Sequence, residues 1–167
     1  MNWDQLRRQV YRTDGTFRDI FATEMDSLAW QKFFELMQGQ TLTFHTSEDG
    51  VEAEAAAIDA AKVERQWDLQ DYVPYIRLQL PGGTKIKFYF FAPDELEGIV
   101  DPRDIKSEAR HRELKSFLGK IADATGRVVK FAQENNREKV KSSSPTRGER
   151  PRLGWNYFNR TNGSSDL

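Results

Sequence analysis

The clearest regularity in the chain is a two-fold alternation of apolar and polar positions over residues 75–80 and 84–91. Ile76, Leu78 and Leu80 fall on one side with Tyr75, Arg77 and Gln79 opposite, and Ile86, Phe88 and Phe90 repeat the pattern against Lys85, Lys87 and Tyr89. Successive side chains of a strand point to opposite faces, so this is a hairpin with one buried and one wet face, joined through Pro81-Gly82-Gly83. Trp30, Phe33, Phe34 and Met37 change the period: spaced i, i+3, i+4, i+7, they form one stripe of a helix that Asp26 or Ser27 caps and Gly39 ends. A longer helix is predicted over 107–125, with His111, Leu114, Phe117, Leu118 and Ile121 on its core face and Gly126 as its stop. A third, over 55–67, places Ala60, Val63 and Trp67 on one side.

The remaining elements are shorter. Residues 41–45 alternate as a strand, Ser47-Glu48-Asp49-Gly50 is a turn, and Val128, Val129 and Phe131 form a last short strand. Residues 7–22 read as a hairpin about Asp14-Gly15, with Phe17 and Phe21 on one face and Arg18 and Ile20 on the other. Its first arm fits equally well as a short helix carrying Trp3, Leu6 and Val10. Residues 92–106, with Pro93 and Pro102, read as an acidic connector. The predicted fold class is α+β: a mostly antiparallel sheet of four or five strands with two or three helices packed on one face. Trp30, Phe34, Ile76, Leu78, Phe88, Phe90, Leu114, Leu118 and Ile121 are the expected core.

At 167 residues the chain fits one domain, placed at 1–135, where the hydrophobic pattern runs out. The tail, 136–167, is too poor in apolar residues to order itself, and it is basic: seven Lys/Arg against three acids, leaving −5 on residues 1–135. A mildly acidic body argues against nucleic acid as the main ligand, which calls for a concentrated basic face. With no cysteine, disulfides, thiolate zinc sites and cysteine nucleophiles are excluded. No apolar run approaches the roughly 20 residues that span a bilayer, and the N-terminus carries no secretory h-region, so a cytoplasmic protein is expected.

Candidate chemistry is sparse. His45 on a strand and His111 on a helix have no metal ligand at the usual spacing within their own elements. Asp94, Glu95, Glu97, Asp101 and Asp104 are five carboxylates in eleven residues, but their spacing matches no calcium loop. They read as a solvated acidic face, with Asp94 capping a short helical turn and Asp101-Pro102-Arg103-Asp104 forming a tight turn. Such a face also suits a basic protein partner. Gly82-Gly83-Thr84-Lys85 lacks the frame of a phosphate loop, and Lys85 and Lys87 solvate their strand. In the tail, Trp155, Tyr157 and Phe158 form an aromatic island that docks on the domain, orders on a partner, or does neither. No catalytic, metal-ligating or cofactor-binding residue is assigned, and no cofactor is expected.

Phe17-Arg18-Asp19-Ile20-Phe21, Trp30-Gln31-Lys32-Phe33-Phe34, Phe90-Phe91 with Glu95-Leu96-Glu97, and Asp101-Pro102-Arg103-Asp104-Ile105-Lys106-Ser107 carry a resemblance. Over about residues 3–135 the chain resembles small bacterial α+β proteins of the polymorphic-toxin immunity type. That resemblance implies a cytoplasmic, non-catalytic protein that neutralises a bacterial toxin by binding it, and it carries over no binding residue. The expected function is a protein-binding module, with the acidic segment 94–104 and the aromatic island as contact candidates. The alternative is a small metal-dependent hydrolase that brings those carboxylates to a histidine.

Overall fold

A computed structural model describes residues 2–133 and the backbone of Gly154–Trp155. In chain order the elements are α1 (Trp3–Gln9), β1 (Arg18–Thr23), α2 (Ser27–Gln38), β2 (Leu42–Glu48), β3 (Val51–Ala55), α3 (Ala60–Leu69), β4 (Tyr75–Gln79), β5 (Lys85–Ala92), β6 (Glu95–Val100), a 3-10 turn (Pro102–Asp104), α4 (Glu108–Thr125), β7 (Lys130–Gln133) and β8 (Gly154–Trp155). The strands form one sheet in the order β3-β2-β4-β5-β6-β1-β7-β8. Pairing is antiparallel throughout the first seven strands, and β8 joins β7 in parallel.

The α+β class and the expected core agree with the sequence reading; the strand count does not. Seven antiparallel strands replace four or five, because two segments read otherwise are strands. The supposed acidic connector contains β6, which lies between β5 and β1. Its Leu96, Gly98 and Val100 face the core while Glu95, Glu97 and Ile99 alternate outward, so the carboxylates masked a period-two pattern. Asp94 accordingly sits in the β5–β6 turn and caps no helix. The Ala/Glu-rich stretch supplies β3, paired to β2 across Asp49-Gly50, and the helix begins only at Ala60 with Asp59 as its cap. Residues 3–9 take the helical alternative, held by a capping box in which Asn2 and Gln5 exchange hydrogen bonds of 3.0 Å.

All four helices contribute apolar residues to one cluster with the inward rows of the sheet, while Leu28 of α2 and Leu69 of α3 stay exposed. α2 crosses its centre: Phe33 meets Phe88 edge-on at 5.5 Å between ring centres, and Trp30 meets Phe90 at 5.7 Å. The indole N–H groups of this layer reach carbonyls, Trp30 to Pro93 at 2.6 Å and Trp67 to Phe90 at 3.1 Å, so burying them leaves no donor unmet. Gly98 makes the close packing possible, since a Cβ there would lie 2.6 Å from Phe88 Cδ1 and 2.9 Å from the Lys87 carbonyl oxygen.

The link between α1 and β1 is organised by Arg18, whose side chain is 0% exposed. Its guanidinium donates to the carbonyls of Val10, Arg12 (2.7 Å), Thr16 (3.1 Å) and Phe17 (2.9 Å), and to the Thr16 hydroxyl (2.8 Å). The charge thus gathers the loop carbonyls around itself, and Asp14 lies 3.6 Å away. The Thr16 hydroxyl and N–H, ahead of Arg18, hold the Asp14 carboxyl down at about 2.

Two substitutions test this packing. Gly98→Ala is expected to destabilise the fold by about 1–3 kcal/mol through overpacking against Phe88, measured by denaturant unfolding, and Phe88→Leu in the same chain should recover part of the loss. Arg18→Met, which strands several loop carbonyls, is expected to cost about 2–4 kcal/mol and to speed amide exchange over residues 12–17.

Candidate functional site

With the helices on one side, the other face of the sheet is built by cross-strand register. One row runs Glu54, His45, Tyr75, Tyr89, Glu97, Phe21 and Lys130 across β3-β2-β4-β5-β6-β1-β7. The next runs Thr43, Arg77, Lys87, Ile99, Asp19 and Ala132. Over β4, β5 and β6 these side chains are exposed or half-buried, whereas Asp19, Phe21 and Ala132 at the far end are buried.

The exposed part is aromatic and charged together. His45 stacks on Tyr75 with ring centres 4.3 Å apart, Tyr75 leans on Tyr89 at 5.6 Å, and Tyr89 stacks on the exposed Phe91 at 5.4 Å. Lys87 Nζ lies 5.0 Å from the Tyr75 ring centre and 5.7 Å from that of Tyr89, within cation–π range of both. Beside this ladder opens a concavity of about 780 Å³, whose lining includes Phe17, Thr43, Glu54, Arg77, Lys85, Lys87, Ile99, Asp101 and Asp104. It sets cations and anions side by side around an apolar floor position, Ile99, and an aromatic wall, Phe17.

A hydrogen-bonded chain crosses three strands at one side of it. Glu54 Oε1 of β3 lies 3.1 Å from His45 Nδ1 of β2, and His45 Nε2 lies 2.9 Å from Arg77 Nε of β4. Arginine has only donors to offer, so Nε2 accepts and the proton sits on Nδ1, donated to Glu54: His45 is neutral. Burial, and after it the Arg77 guanidinium, lowers its pKa against the opposing pull of Glu54. His111, behind the sheet, has its Nδ1 2.7 Å from the Tyr11 hydroxyl, and burial followed by Lys115 lowers its pKa too.

The residues singled out from sequence are dispersed. Asp94 is exposed in the β5–β6 turn, and its carbonyl accepts from the Met25 N–H at 3.0 Å. Glu95 and Glu97 are half-buried on the outer side of β6. Asp101 accepts from the Arg103 N–H at 2.9 Å and from its guanidinium at 2.6 Å, bonds that lower its pKa, and Asp104 Oδ2 accepts from the Lys85 N–H at 3.2 Å. The concavity unites Asp101 and Asp104 with Arg77, Lys85 and Lys87, the two lysines having been read from sequence as only solvating their strand. Trp155 belongs to β8, opposite Phe131; Tyr157 and Phe158 lie outside the described residues, as does most of the segment 136–167. Among the described residues, His45 contacts Glu54, Arg77 and Tyr75, and His111 contacts Tyr11. Among the described residues, no three of His, Asp and Glu stand together as a metal site would require. Among them, too, no helix is long and apolar enough to cross a membrane.

No protein-family model, curated protein or solved structure matches the chain.

The histidines give the protein a signed pH dependence. Their folded pKa values lie below the ordinary 6.5, so the unfolded chain takes up protons first. Their stabilisation is complete above that value and is lost as pH falls through the folded values. Denaturant midpoints should drop as pH falls below the ordinary histidine value of 6.5, and the double variant His45→Gln/His111→Gln should flatten that slope.

Proposed function

We propose that the chain is a non-catalytic binding module that receives a protein partner on the open face of its sheet. The observation that supports this most directly is the Tyr75–Tyr89–Phe91 ladder, with Lys87 across its rings and the charged concavity beside it. Aromatic rings and guanidinium groups are over-represented among residues that dominate protein interfaces, and mixed charges around them select a partner by complementarity. Cross-strand pairing accounts for the Tyr75–Tyr89 contact, but it leaves Phe91 half exposed, apolar surface that a partner would cover. On the resemblance to polymorphic-toxin immunity proteins, the partner is a toxin and the act of binding is its neutralisation. Nucleic acid suits the face less well, because Glu54, Glu97, Asp101 and Asp104 stand among its cations.

The test is capture from native cell lysate on the full-length chain, compared with Lys87→Glu and Tyr89→Ala. A protein retained by the wild type should be lost by about tenfold or more on each variant, as expected for central interface positions. Adding the wild-type chain should then stop that protein's activity at one-to-one ratio. Retention indifferent to both substitutions sinks the reading.

A further inference from the structure

The two edges of the sheet differ. At one, β7 already takes an extended segment of the same chain, Gly154–Trp155, as a parallel strand. At the other, β3 is the terminal strand and all five of its residues are exposed.

The direction of its backbone groups follows from the turn that precedes it. Asp49 and Gly50 have φ of 52° and 77°, the paired positive values of a two-residue hairpin turn, so the flanking Glu48 and Val51 form a hydrogen-bonded pair. Antiparallel ladders alternate, which makes Thr46 with Ala53 and Phe44 with Ala55 hydrogen-bonded pairs as well. The N–H and C=O groups of Glu52 and Glu54 therefore point away from β2, toward the edge. Such a row is a template for another strand.

We infer that β3 accepts an extended segment of a protein partner as an added strand, and that this segment carries Lys or Arg at alternate positions. The inference rests on the reading of the chain as a protein-binding module and names how the partner is held. Charge decides the occupant. Glu52 and Glu54 stand two residues apart on the outer face, near Asp49 at the hairpin tip, while Glu48 turns to the inner side and pairs with Lys62 at 3.3 Å. A second copy of this chain is disfavoured: antiparallel pairing about Ala53, with the outer faces continuous, sets Glu52 of each copy opposite Glu54 of the other. Like charges directly opposed across strands are destabilising, and opposite charges are favourable. On the inner side, Val51 is 69% exposed and followed by Ala53 and Ala55, which leaves room for apolar side chains at the intervening positions of the incoming strand.

Glu52→Pro is the discriminating variant, since it removes an outward N–H that β2 does not use, and an edge strand tolerates proline. A display library of random decapeptides is selected on the full-length protein, and the enriched peptides are titrated while backbone amide exchange is followed. Enriched peptides should carry Lys or Arg at alternate positions and protect the Glu52 and Glu54 amides. Glu52→Pro and Glu52→Lys should each weaken them by about tenfold or more, with unchanged circular dichroism. Undiminished binding to Glu52→Pro, a pool without the alternating basic pattern, or a selection with no peptide that protects these amides overturns the inference. So does a dimer in sedimentation that Glu52→Pro disperses, which would assign the edge to a second copy. Peptides lost on Lys87→Glu but not on Glu52→Pro would overturn the edge site while keeping the open face as a binding surface.

Discussion

Phe88 fills the space that a side chain at position 98 would need, and the layering of the molecule depends on that substitution of one residue's ring for another's Cβ. The ring lies against the β6 backbone at the centre of the sheet, and Phe33 of α2 meets it edge-on. Around this contact Trp30, Phe34, Phe90 and Trp67 close an aromatic layer in which Trp30 meets Phe33 and Phe90 edge-on, as Phe34 does Phe90, while Trp30 stacks on Phe34 and tilts against Trp67. Aromatic pairs of this kind add about 0.5–1.5 kcal/mol each beyond the area they bury, so helix and sheet are fastened where the rings are densest. With so much apolar surface collected on one side, no second helical layer is needed among the described residues.

The opposite face is a consequence of that one-sidedness. Alternation obliges every second residue of β4 and β5 to look outward, and a sheet face left to water is ordinarily filled with small polar or charged residues. Here three of those positions are aromatic, and the cations among them are held over rings and not left to solvent. Lys87 between two tyrosines has less freedom than a lysine on a bare strand, and preorganised side chains lose less entropy when a partner arrives.

How far this was legible follows from the kind of signal each element gives. The β4–β5 hairpin, α2 and α4 declare themselves because their apolar residues hold one period from end to end. Strand β6 was hidden because Glu95 and Glu97 look like part of a solvated connector until their partners on β5 and β1 are known. Strand β3 was hidden because alanine and glutamate favour helix, and only pairing with β2 overrides that preference. Arg18 could not be read as buried, since a charged residue goes inside only when several carbonyls converge on it. The site was legible in one respect: aromatic residues at the wet positions Tyr75 and Tyr89 break the alternation in kind, though not in period. Its cross-strand rows depend on register, which no local pattern supplies.

The face and the open edge are one surface, because Glu54 belongs to both. Its backbone forms part of the β3 edge, while its carboxylate reaches His45 and, at 3.6 Å, Arg77 Nη2, and so lines the concavity. The neutral imidazole bonds to both the carboxylate and the guanidinium, which also meet directly as a single-contact ion pair, so the three groups are held in a fixed relation. An incoming cation at the edge would therefore draw on the same carboxylate that orients Arg77 on the face. Coupling of this sort needs no moving part: three strands in fixed register place an acid, a neutral relay and a base in line, and occupancy at one end alters the electrostatic environment of the other.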